Sequence, residues 1–259
     1  MQTAAISQHI SQWMKDYAHT AKSHGFVLGI SGGIDSAVTS TLAAETGLPV
    51  LCVEMPIHQV AAQVDRAQEH IAWLKANYAN VTSVETELTN IFDGFINAVP
   101  TVKDSENRLR SLVNTRARLR MTTLYYFAQL NNYLVAGTGN KVEDFGIGFY
   151  TKYGDGGVDL SPIADLMKTE VFALGKELGV CQSILDAPPT DGLWNDDRTD
   201  EDQIGATYPE LEWAMTFKGN ENTLTNRQKE VLAIYRSFHR ANQHKMIPIP
   251  VCEIPEELK

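Results

Sequence analysis

A chain of 259 residues, 43% of them hydrophobic, can bury a large core and suits one α/β domain over residues 1–259 better than two equal ones. Its 22 Lys and Arg against 32 Asp and Glu give a net charge of −10, the wrong sign for a general nucleic-acid binder, while local basic patches stay open. Cys52, Cys181 and Cys252 lie far apart with no Cys-x-x-Cys pair, which argues against a zinc site or a disulfide framework and leaves reduced packing residues.

Ile6, Ile10, Trp13, Met14 and Tyr17 recur at helical spacing and predict an amphipathic helix lying against the domain. Residues 1–24 carry polar groups throughout with no signal-peptide core, and no later stretch approaches a membrane span. A cytosolic protein without a membrane partner is expected.

Phe26 to Ile30 has the length and branching of a strand covered on both faces, and a helix of small residues runs from Ser36 to Glu45. Between them Gly32 and Gly33 lack a Cβ, so backbone N–H groups can approach a phosphate at the positive end of the helix. On this reading a Val at Gly33 should fail through backbone geometry. Ser31 and Ser36 add hydroxyls, and Asp35 adds a carboxylate that would repel a bare polyphosphate, so a bridging Mg²⁺ is predicted. The string is neither a Gly-x-x-x-x-Gly-Lys-Ser/Thr loop nor a Gly-x-Gly-x-x-Gly turn.

A second strand follows at Pro49 to Met55, then a helix through Val60, Val64, Ala67, Ile71 and Leu74, then a short strand at Val81 to Val84. Alternating strands and helices predict a doubly wound, mostly parallel sheet with helices on both faces. In such sheets ligands sit beyond the carboxyl ends of the strands, where the glycine loop falls.

Ser105 to Asn132 reads as a long helix on which Arg110, Asn114 and Arg118 share one face, either solvated or offering bidentate groups to an anion. Tyr133 to Gly137 is the next buried strand, and it delivers Thr138, Asn140 and Glu143 to the edge of the sheet that carries the glycine loop. Residues 146–157 are rich in glycine and aromatics, with Lys152 and Asp155 among them, and could order over a ligand or form an exposed linker. Leu166 to Leu178 predicts a helix stopped by Gly179. The prolines of 187–189 and an acidic run to Asp202 predict a long loop. One or two helices, including Asn226 to His239, and a proline-punctuated tail close the chain.

The string Ser31 to Ser36 (Ser-Gly-Gly-Ile-Asp-Ser) resembles the pyrophosphate loop of the N-type ATP pyrophosphatases, which split ATP into AMP and pyrophosphate. Further strings at Asn114 to Met121, Gly137 to Glu143, Phe149 to Gly157, Pro189-Thr190 and His244-Lys245 select among them. In this order they resemble NAD⁺ synthetase over nearly the whole chain. The resemblance implies an adenine nucleotide α-hydrolase-like fold with a helical C-terminal part, and a homodimer with the arginine-bearing helix near its interface. It implies that Gly29, Ile30, Ser31, Gly32, Gly33, Ile34, Asp35 and Ser36 bind the ATP phosphates, with Thr138, Lys168 and Thr190 on ATP or its pyrophosphate. Asp35 and Glu143 would hold Mg²⁺, Asp35 and Lys168 would be catalytic, and Arg118, Lys152, Asp159, His244 and Lys245 would contact the deamido-NAD substrate. The segment from Glu143 to Lys152 is about one residue longer than the family pattern, which bears on Lys152 and Asp159.

The implied chemistry has two steps. The nicotinate carboxylate attacks the α-phosphorus of ATP, giving an acyl-adenylate and pyrophosphate, and ammonia then displaces AMP. Both partners in the first step are anionic, so the work is charge neutralisation and alignment. No covalent nucleophile is needed, in keeping with the lack of a Ser/His/Asp or Cys/His arrangement. Only about 25 residues precede the first strand, too few for a glutamine amidase domain, so free ammonia is the expected donor and the rate should rise with pH at fixed total ammonium. Amidation of nicotinate mononucleotide, a tRNA-modifying pyrophosphatase and a non-catalytic nucleotide-binding module are the alternatives.

Overall fold

The apolar runs become four parallel strands, β1 (Gly25–Gly29), β2 (Val50–Glu54), β3 (Val81–Glu85) and β4 (Tyr133–Val135), in the spatial order β3-β2-β1-β4. A computed structural model describes residues 1–103, 105–190 and 199–259. Around the sheet run α1 (Thr3–Thr20), α2 (Ile34–Glu45), α3 (Ala61–Asn77), α4 (Thr89–Ala98) and α5 (Glu106–Asn131). After it come α6 (Lys168–Glu177), α7 (Gln182–Leu185), α8 (Asp200–Ile204), α9 (Tyr208–Thr216) and α10 (Asn226–Met246).

Strand side chains alternate between faces. Phe26, Leu28, Val50 and Cys52 therefore join one core with Met14 of α1, Leu42 of α2, Leu74 of α3 and Leu174 of α6. Val27, Val53 and Val135 join a second core with Phe92 of α4 and Ala128 of α5. Both faces are covered, which is why the strands read as continuous apolar runs. A third core closes the helical C-terminal part, built from Val142, Ile147, Ile204, Tyr208, Leu211, Val231 and Leu232.

The strand order fixes where a ligand can bind. The chain steps outward from β1 through β2 to β3 and then returns to the other side of β1 as β4. Connections from β1 and β4 leave in opposite directions, opening a crevice beyond their carboxyl ends.

Several elements depart from the sequence reading. α2 begins at Ile34 instead of Ser36, so Asp35 lies in its first turn. α6 begins at Lys168, because Leu166 is tied into a turn, its amide donating a hydrogen bond to the Ile163 carbonyl at 3.0 Å. α10 runs on to Met246 and carries His244 and Lys245 in its last turn. α4 has no counterpart among the predicted elements. Val142–Ile147 is a π-helix, whose turns close over one residue more than α-turns. Of the predicted loop over 187–202, residues 191–198 lie outside the described residues. Among those described, no helix is long and apolar enough to cross a membrane.

Candidate active site

β1 runs out at Gly29 and the chain turns through Ile30 to Gly33 into α2. Gly32 has φ +76°, and a Cβ there would stand 2.5 Å from the Gln63 carbonyl oxygen of α3. Left-handed backbone and close packing both demand glycine at that position. Gly33 is extended at φ −102°, and a Cβ on it would meet only Ser31 Oγ at 3.3 Å. The geometric requirement expected at Gly33 therefore belongs to Gly32. The loop is braced internally: the Ser31 amide donates to Ser36 Oγ at 3.2 Å, the Gly33 amide donates to Ser31 Oγ at 3.2 Å, and Ser36 Oγ donates to the Gly33 carbonyl at 3.0 Å. Arg66 Nε of α3 donates to the Gly32 carbonyl at 3.2 Å. The N-terminus of α2, whose first-turn amides have no acceptor within the helix, opens on the crevice.

A large cavity occupies that crevice. Gly29 to Ser36, Thr138, Glu143, Lys168 and Thr190 all line it. At its floor Lys168, 3% exposed, donates from Nζ to Asp35 Oδ2 at 2.5 Å and to Glu143 Oε1 at 2.9 Å. Asn140, wholly buried, donates from Nδ2 to Asp35 Oδ1 at 3.0 Å, while its Oδ1 accepts the amides of Val142 and Glu143, each at 3.1 Å. One amide side chain thus orients the Asp35 carboxylate on α2 and caps the start of the π-helix that carries Glu143. The Tyr208 phenol donates to Glu143 Oε1 at 2.5 Å, and the Lys168 ammonium stands 4.8 Å from the centroid of the Tyr208 ring.

Burial disfavours charge on all three ionic groups. It lifts Asp35 above the usual carboxylate value against the pull of Lys168. At Glu143 burial is outweighed by Lys168 and by the Tyr208 hydrogen bond, which hold it low. The two carboxylates outweigh burial at Lys168 and keep it protonated.

Two carboxylates against one ammonium leave an excess of negative charge beside a helix N-terminus. Mg²⁺ is usually held by one or two carboxylates together with substrate phosphates and waters, and Asp35 with Glu143 could serve as such a pair. Among the described residues no group of three or more His, Cys, Asp or Glu forms an all-protein metal cage.

Arg118, Lys152, Asp159, His244 and Lys245 are not among the residues lining this cavity. Most of them knit a neighbouring seam between α5, the 148–152 segment and α10. Arg118 Nη2 donates to the Lys152 carbonyl at 3.3 Å, Lys152 Nζ to the His244 carbonyl at 2.7 Å, and Lys245 Nζ to the carbonyls of Gly148 at 2.8 Å and Tyr150 at 2.7 Å. Asp159 stands apart, accepting the Val135 amide on Oδ2 at 2.8 Å and the Tyr125 hydroxyl on Oδ1 at 3.0 Å. The expected Arg110-Asn114-Arg118 face divides. Arg110 pairs with Glu106 in solvent, whereas Asn114 Oδ1 accepts Thr151 Oγ1 at 2.7 Å.

Sequence reasoning did not single out Tyr208, Arg66 or Asp144 as site residues. Asp144 follows Glu143, lines the cavity and packs against Gly139, where a Cβ would collide with its carboxylate. Burial, reinforced by Glu143, Asp155 and Asp35, pushes its carboxyl up to about 8. Asp155, also in the lining, is raised by burial to about 6. Asp155 belongs to the segment expected to order over a ligand, whereas Asp144 carries no periodic signal and could be found only from the fold.

Known proteins resemble this chain in sequence and fold. A model of the NAD synthase family matches residues 6–248. The NH(3)-dependent NAD(+) synthetase of Carboxydothermus hydrogenoformans is 34% identical over 246 residues, covering 92% of this chain and 93% of that protein. Among solved structures, NMN synthetase from Francisella tularensis aligns with a TM-score of 0.85 at 32% identity over 99% of both chains. The NH3-dependent NAD synthetase of Campylobacter jejuni aligns with a TM-score of 0.78 at 27% identity, over 98% of this chain and 100% of that one. With the glycine loop, the paired carboxylates and a match running almost from end to end, the chain belongs to the NAD synthase family.

Proposed function

We propose that this protein is a ligase that amidates the nicotinate carboxylate of deamido-NAD with ammonia at the expense of ATP, through an acyl-adenylate, yielding NAD⁺, AMP and pyrophosphate. The observation that carries this reading is the Asp35–Lys168–Glu143 cluster set at the N-terminus of α2 within one cavity. That arrangement suits a leaving pyrophosphate: helix amides, the hydroxyls of Ser31, Ser36, Thr138 and Thr190, and the Lys168 ammonium can all address its oxygens. Asp35 and Glu143 would hold Mg²⁺, which when bound neutralises phosphate charge. On this reading Arg118, Lys152, Asp159, His244 and Lys245 would contact the dinucleotide, and Tyr150 and Asp155 of the adjoining segment lie in the cavity wall.

The same reading takes residues 1–259 as one domain, because α2 and α6 of the first core and the π-helix of the third all supply the site. It places the protein in the cytoplasm and pairs it with a second copy through apolar side chains, Ile91 and Phe95 on α4 and Tyr126 and Leu130 on α5, exposed by 41–65%. Its net charge of −10 argues against a nucleic-acid partner.

One observation favours a second acid. The Francisella tularensis structure that aligns at TM-score 0.85 is an NMN synthetase, which supports amidation of nicotinate mononucleotide at the same site. Incubation with ATP, Mg²⁺, ammonia and each acid in turn separates the two. AMP formed in step with NAD⁺ is the expected result. Amide from the mononucleotide alone would transfer the reading to that acid, and AMP with neither would refute both.

A further inference from the structure

We infer that Tyr208 is a positioning residue that aims the Glu143 carboxylate at the site shared with Asp35. The inference rests on the reading of Asp35 and Glu143 as the Mg²⁺ pair and adds a residue to it.

The two carboxylates ride on different cores. Asp35 sits on α2, packed in the core that includes α1, α6 and the sheet. Glu143 sits on the π-helix, whose Val142 and Ile147 pack with Tyr208 and Leu211 in the C-terminal core. Their separation therefore depends on bonds that cross between the cores or brace each carboxylate within its own. Asn140 provides a crossing bond at Asp35, and Tyr208 provides the brace at Glu143. Lys168 Nζ at 2.9 Å and the Tyr208 hydroxyl at 2.5 Å both meet Oε1 of Glu143, so two donors from different elements fix the carboxylate's torsion.

A phenol between carboxylates could serve either one. Asp200 Oδ2 lies 3.3 Å from the same hydroxyl, but the phenol has one proton, and the shorter contact takes it. A phenol carries its proton at neutral pH, so Tyr208 acts as a donor to Glu143 Oε1 and not as a base. Outer groups that orient a metal's ligands typically change metal affinity by about 10–100-fold when removed. A merely space-filling tyrosine would leave that affinity alone.

The test uses Tyr208→Phe in the full chain, which removes one oxygen and keeps the ring over Lys168. Mn²⁺ binding is measured by calorimetry in the presence of α,β-methylene-ATP, beside the Mg²⁺ dependence of turnover and the melting temperature. The expected result is a Mn²⁺ Kd weakened about tenfold, with turnover lost at limiting Mg²⁺ and the KM for ATP at saturating Mg²⁺ unchanged. In a Glu143→Gln background the same substitution should add nothing further, since the hydroxyl acts through that carboxylate. A Mn²⁺ Kd equal to the parent's overturns the inference, as does an effect that multiplies with Glu143→Gln or a variant that no longer unfolds cooperatively. If Glu143→Gln alone binds Mn²⁺ as the parent does, the metal reading fails, and this inference with it.

Discussion

Lys168 faces Asp35 and Glu143 from a position 3% exposed. Removing one member of a buried ionic cluster leaves uncompensated charge, at a cost of about 3–5 kcal/mol. Lys168→Met should therefore lower unfolding free energy by about 3 kcal/mol and abolish turnover. Urea denaturation beside an activity assay checks both, and a variant of parental stability would mean that the cluster is open to water. The glycine loop makes a sharper comparison. Gly32→Ala forces a side chain into φ +76° and against the Gln63 carbonyl, and should cost about 1–3 kcal/mol. Gly33→Ala, in extended backbone, should stay within about 0.5 kcal/mol. Equal denaturant midpoints for the two would contradict the loop geometry. At this scale the sequence shows residues whose type is itself the signal: the glycines, serines and Asp35 of 31–36. It does not show which glycine bears the left-handed turn, because φ is set by how α3 approaches. Nor does it show Tyr208, whose partner Glu143 lies 65 positions earlier and whose neighbours read as an ordinary helix start.

The strands were legible as continuous apolar runs, because both faces of the sheet are covered, and the long helices by the period that burial of one face imposes. β1 to β4 lie within one or two residues of their apolar runs, and α5 spans almost the predicted stretch, with Ser105 accepting the Arg108 amide as its cap. The π-helix was not legible, since its residues carry no signal in the sequence that separates a wide turn from an α-turn. The contact of α2 with α3 carries a pH dependence. His70 on α3 is fully buried, hydrogen-bonded through Nε2 to Ser40 Oγ at 2.9 Å and stacked on Trp73. Burial lowers its pKa from 6.5 to about 4. The unfolded chain then binds the extra proton between these values, so stability is complete above about 6.5 and is lost as pH falls towards 4. At pH 5 the loss from this group is about 2 kcal/mol. Calorimetry of the parent and His70→Gln at pH 7 and pH 5 should show their stability difference shrinking by that amount, and a pH-independent difference would exclude His70 as the source.

For the whole molecule, order of elements was enough to place the site, because a sheet ordered β3-β2-β1-β4 has one reversal and the crevice must lie there. Assembly was less legible, since a single sequence does not reveal which apolar helix face stays exposed. Ile91 and Phe95 on α4, and Tyr126 and Leu130 on α5, are apolar pairs left exposed. Light scattering should give twice the chain mass, and Phe95→Glu with Leu130→Glu should halve it. A parent that is monomeric at micromolar concentration would remove the dimer. The central claim is that the nicotinate carboxylate itself attacks the α-phosphorus of ATP. It is tested most directly with deamido-NAD carrying ¹⁸O in both carboxylate oxygens, ATP, Mg²⁺ and ammonia. The account predicts that one labelled oxygen stays on the NAD⁺ amide and the other appears in the phosphate of AMP, whereas AMP free of label would contradict it.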